Sequence, residues 1–78
     1  MSVAEGDWLQ ALAAALETVT PSDEEREQLL ALAGLAAHTS ERTAAPLSCW
    51  LAARARVGPA TALAVARRLA EELASPAG

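Results

Sequence analysis

The chain has no phenylalanine, tyrosine or isoleucine, and only two tryptophans among its 78 residues. Large core-filling side chains are scarce, and the apolar content is mostly alanine and leucine. Helices built this way can approach closely, but each contact removes little area from water. With β-branched residues few, intrinsic propensity points to helix and away from strand, and no sheet is expected. A single cysteine excludes an internal disulfide, and a single histidine completes no zinc ligand set, so no metal and no cofactor are expected. Lysine is absent too: the six basic residues are all arginine, set against ten acids for a net charge of −4. That balance opposes a general nucleic-acid binder, whose surface must neutralise phosphates. It also weakens a helix-turn-helix DNA reader. Uncharged runs are too short to span a bilayer, and Glu5 and Asp7 interrupt the apolar start that a secretory signal requires. A soluble cytoplasmic protein is expected, with no membrane partner.

What is present is helical pattern. The length suits one domain, residues 1–78, with an ordered core over about 7–74 and frayed ends, near the lower size for a core without metal or disulfide help. Asp7 is placed to cap helix one, which runs to about Thr18. Trp8, Leu9, Leu12, Ala15, Leu16 and Val19 share one face, making Trp8 a core anchor. Thr20-Pro21 ends that helix. Ser22 and Glu25 have capping-box spacing, and the acids of the first turn face the positive end of the helix dipole. Helix two then carries Leu29, Leu32, Ala33 and Ala36 on one face. Gly34 lies within it, costing about 1 kcal/mol against alanine, a cost that close approach of another helix or of the Trp50 ring would offset unless the glycine is incidental.

Thr39 to Ala45 reads as loop, rich in side chains that bond locally. Pro46 suits the first turn of helix three, which runs to about Val57 with Leu47, Trp50, Leu51 and Ala55 inward. Gly58 is placed to take a left-handed C-cap and Pro59 to open the next helix. Helix four, about Ala60 to Ala74, turns Leu63, Ala66, Leu69, Ala70 and Leu73 inward, with Arg67–Glu71 and Arg68–Glu72 spaced for i,i+4 pairs. Ser75 to Gly78 is expected to be disordered. The fold class is all-α: a compact four-helix domain built from two helical hairpins, helices 1–2 and 3–4. Charge divides unevenly, −7 over residues 1–41 and +3 over 42–78. The split favours docking of the two halves or a self-complementary homodimer, although solvated faces that merely differ explain it as well.

The stretch from Ala37 to Trp50 concentrates the remaining chemistry. His38 and Arg42, four apart, can together bind an anion such as phosphate, or can simply cap the last carbonyls of helix two. Ser48 and Cys49 invite a nucleophile reading, yet no third residue orients the base and no glycine-rich oxyanion turn exists, so no catalytic residue is assigned and the protein is not read as an enzyme. Cys49 is expected to be a small buried residue. The residues proposed to touch a ligand or partner are His38, Arg42 and Ser48. Trp8, Ser22, Glu25, Gly34, Pro46, Trp50 and Gly58 are read as structural.

The pattern Ala37-His38, Arg42 and Ala44-Ala45-Pro46-Leu47-Ser48, preceded by Leu29-Leu30-Ala31-Leu32-Ala33 and by Trp8-Leu9, resembles a family of uncharacterised small helical domains. Members of that family read LLDLARDVAH, then RPAAPLT and a helix. There the domain occurs alone or fused behind a nucleotidyltransferase similar to molybdenum cofactor guanylyltransferase, mostly in actinobacteria. This chain departs from the pattern at Gly34, where the family tends to carry Asp, and at Thr43, where it tends to carry Pro. The resemblance implies an association with molybdenum cofactor metabolism and no catalytic activity. The function expected is that of an accessory or interaction module with a protein partner. The alternative is a small-anion or cofactor binder built on the His38–Arg42 loop.

Overall fold

A computed structural model describes residues 2–74. It contains α1 (Glu5–Ala15), α2 (Asp23–Thr39), α3 (Ala44–Arg54) and α4 (Pro59–Ala74), with no strand among the described residues. The all-α, four-helix class read from the sequence holds. The disorder expected for Ser75 to Gly78 falls outside the described residues.

The local signals succeed where they are self-contained. Ser22 accepts a hydrogen bond from the Glu25 amide at 3.1 Å, and Glu25 Oε1 accepts one from the Ser22 amide at 2.9 Å, closing the capping box of α2. Helix α1 starts ahead of Asp7, at Glu5, so Asp7 does not cap it. Ala4 occupies the N-cap position without a side-chain bond, and Glu5 and Asp7 serve the first turn as charges facing the dipole.

The central loop is shorter than expected, because α2 continues to Thr39 and α3 begins at Ala44. Pro46 is therefore the third residue of α3, where an N–H would still have no helical acceptor. Gly58 does not adopt the left-handed conformation; no described glycine has positive φ. That conformation falls instead on Arg56 (φ 60) after α3 and Glu17 (φ 55) after α1. Each is stapled by a paired C-terminal motif. Arg56 and Val57 amides donate to Ala53 and Ala52 carbonyls, as Glu17 and Thr18 amides donate to Ala14 and Ala13.

Helix α2 is the centre of the packing. Helices α3 and α4 both lie on it, while α1 makes no comparable contact with any of the three, so the packing is not divided between hairpins 1–2 and 3–4. The core is small: Leu32 of α2 with Ala62 and Leu63 of α4, flanked by Ala31, Cys49, Ala52 and Ala66. The molecule measures 49 × 29 × 19 Å, with a radius of gyration of 14.3 Å, more extended than the roughly 11.5 Å of a compact chain this long.

Three expected core positions are overturned. Trp8 is 56% exposed and Trp50 60%, so neither anchors the core. A Cβ at Gly34 would meet nothing within 4 Å, so neither a neighbouring helix nor the Trp50 ring approaches it closely. Helix α3 is also turned round relative to expectation. Its small residues Ala45, Ser48, Cys49 and Ala52 are partly buried, while Leu47, Trp50, Leu51 and Ala55 face water. The reason is steric: alanine and cysteine let α3 approach α2 closely, where Trp50 and Leu47 would hold it away. Leu69 and Leu73 of α4 are exposed for a related reason, since the groove between α2 and α3 accepts only Leu63 and the alanines beside it.

Candidate functional site

At the C-terminal end of α2, His38 lies in the last turn, where a basic group suits the negative end of the dipole. Ser40 then leaves the helix at φ −127, ψ −107, its amide still bonded to Ala36 O at 2.9 Å. The loop satisfies its own backbone: Ala44 N donates to Glu41 O at 2.9 Å and Ala45 N to Arg42 O at 3.1 Å. The Arg42 guanidinium takes no part in this. Side-chain hydrogen bonds among the described residues are confined to Ser22–Glu25 and Glu5–Arg26.

His38 and Arg42 are both exposed and share a shallow hollow with Ala37. His38 also borders a second, open depression with Arg67 and Glu71 of α4. Ser48 is elsewhere. It lines an apolar groove of about 190 Å³ between α2, α3 and α4, walled by Leu32, Leu35, Ala66, Leu69 and Leu73. The structure thus brings His38 and Arg42 together and separates Ser48 from them. Cys49 is partly buried against the core cluster, inward as expected, although Trp50 beside it points out. No group of three metal-ligating side chains occurs among the described residues.

Sequence periodicity misassigned the largest surface feature. Among the described residues four apolar side chains are buried and thirteen large ones are exposed. Many of the exposed ones line up: Trp8 and Leu12 on α1 with Leu16 just past its end; Leu47, Trp50 and Leu51 on α3; Val65, Leu69 and Leu73 on α4. Total accessible surface is 6330 Å², against about 4450 Å² for a folded monomer of 8.0 kDa, an excess of roughly 1900 Å². The signal for this was present in α3, which is apolar almost all round and therefore has a second face to cover.

Among the described residues charge contributes one long-range tie. Arg26 of α2 donates to Glu5 of α1 through Nε to Oε1 and through Nη2 to Oε2, the latter at 2.9 Å. This bidentate pair, with its attraction, holds the Glu5 carboxyl below its ordinary 4.5 and raises Arg26. The i,i+4 pairs expected on α4, Arg67–Glu71 and Arg68–Glu72, do not form among the described residues. No described helix is long and apolar enough to cross a membrane.

No curated protein and no solved structure matches the chain. A family model does match, over residues 2–78: that of a domain of unknown function (DUF6457). With nearly its whole length covered, the chain belongs to that uncharacterised family.

Proposed function

We propose that this domain is a non-catalytic protein-interaction module, an accessory to a cofactor-handling enzyme. The observation that carries the reading is the inversion of α3, whose small residues pack on α2 while Leu47, Trp50 and Leu51 present a broad apolar face to water. Aromatic side chains held by a rigid helix are effective anchors at interfaces. The resemblance read from the central motif supplies the partner class: a nucleotidyltransferase similar to molybdenum cofactor guanylyltransferase, in an actinobacterial cytoplasm.

The test is titration calorimetry of the purified domain against such a guanylyltransferase-like protein, with Trp50→Glu as the control. Binding that Trp50→Glu abolishes supports the module, and absence of heat at any ratio removes this partner class. A second reading, anion binding at His38 and Arg42, is favoured by the hollow these two share. Titration with inorganic phosphate checks it: saturable binding lost in Arg42→Ala supports it, and no binding at millimolar phosphate rules it out.

A further inference from the structure

The exposed face of α3 is surrounded by charge of one sign. Leu47, Trp50, Leu51 and Arg54 recur at helical spacing, so they share one side of α3, about 10.5 Å from end to end at 1.5 Å per residue. All four are exposed, and the packing of α3 on α2 uses the small residues of the opposite side. From Arg42 to Ala70 the chain carries Arg42, Arg54, Arg56, Arg67 and Arg68 and no acid at all. None of these arginines is in an ion pair among the described residues. Arg56, also exposed, adds an independent observation. It holds φ 60 just past the helix, a conformation in which glycine is less strained, so stability alone favours glycine there over the arginine present.

We propose that this face docks into an apolar trough of a protein partner whose rim carries carboxylates. Trp50, Leu47 and Leu51 fill the trough, while Arg54 and Arg56 pair with the rim acids at one end of it. Guanidinium suits the task, since its planar fork of donors matches the two oxygens of a carboxylate, and rim charges of this kind set the register of docking. The proposal rests on the interaction-module reading and specifies the surface that the partner must present. A second copy of this chain does not fit. Packing α3 against α3 brings arginines together, and the Glu5 side of α1 is bonded to Arg26 of its own chain. An anionic membrane or a nucleic acid fits less well, because an extended anionic surface also meets the −7 of residues 1–41.

Titration calorimetry of the full chain against the guanylyltransferase-like protein tests it, with Arg54→Glu, Arg56→Gly and Trp50→Glu as variants at exposed positions. Each is repeated in about 0.5 M sodium chloride, where the screening length falls to roughly 4 Å. Arg54→Glu is expected to weaken binding about tenfold or more, and high salt to weaken the wild type more than this variant. Arg56→Gly is expected to raise the thermal midpoint and yet lower the affinity several-fold, a combination that an arginine with a purely structural role does not produce. Binding that is lost in Trp50→Glu but unchanged in Arg54→Glu and in high salt overturns the acidic rim and leaves the module reading standing. Absence of heat from the wild type overturns that reading and this inference with it. Co-sedimentation with phosphatidylserine vesicles is the parallel arm: retention of the wild type that Arg54→Glu abolishes overturns the protein partner in favour of a lipid surface.

Discussion

Helices α1 and α2 meet at the Glu5–Arg26 pair yet are held in different ways. Leu32 of α2 is 4% exposed because α4 brings Ala62 and Leu63 against it and α3 brings Cys49 and Ala52. On α1 a single residue, Ala13, is buried, and Trp8 faces water despite being the largest side chain on that helix. Amphipathic spacing makes a face available for burial, and neighbours on that side decide whether it is buried. Helix α2 has two such neighbours in its own chain. Helix α1 has an ion pair and a short linker.

Leu32→Ala tests the α2 side of this contrast and carries the largest expected effect, a loss of about 2–5 kcal/mol from the vacated core. A domain of this length has roughly 4–12 kcal/mol in total, so denaturant midpoints should fall steeply or the fold should be lost. Trp8→Ala is expected to stay within about 0.5 kcal/mol. A comparable loss from both would mean that α1 is part of the core.

Smaller and opposite in sign are two changes inside the packed unit. Gly34→Ala places a methyl in open space within α2 and should raise stability by about 1 kcal/mol. Arg56→Gly relieves a positive φ and should raise it by about 0.5–1 kcal/mol. Thermal melts followed by circular dichroism read both, and a fall in midpoint for Gly34→Ala would reveal a close approach at that face.

The tie of α1 to α2 is sensitive to acid. Because the folded Glu5 carboxyl lies below its ordinary 4.5, the attachment is fully present above that value and is lost as pH falls through the lowered one. Hydrogen exchange should show α1 amides losing protection in acid before those of α2, and Glu5→Gln should remove the pH dependence. The smallest effect belongs to Arg42→Ala, within about 0.5 kcal/mol of wild type in chemical denaturation, since its guanidinium bonds to nothing among the described residues.

Elements whose causes are local were legible in the residues. The capping box at Ser22 and Glu25 and the start of α4 at Pro59 each depend on a few adjacent side chains, whereas α1 ends at Ala15 on the left-handed Glu17, ahead of the Thr20-Pro21 break expected to stop it. The left-handed cap after α3 was misplaced by two residues. Glycine prefers that conformation, but the helix ended where its last carbonyls found amide donors, at Arg56. The candidate site was half legible: His38 and Arg42 share a hollow because α2 runs to Thr39, while Ser48 lines the separate groove between α2, α3 and α4.

The sequence by itself determined that the chain is helical, where α2 and α4 begin, and that its apolar side chains are mostly alanine and leucine, because propensity, capping and composition act within one or two turns. Only the tertiary structure decided which side of each helix is covered. Helix α3 is apolar on both sides, and periodicity cannot choose between them. Close packing on α2 chose the alanines and Cys49, leaving Leu47, Trp50 and Leu51 exposed.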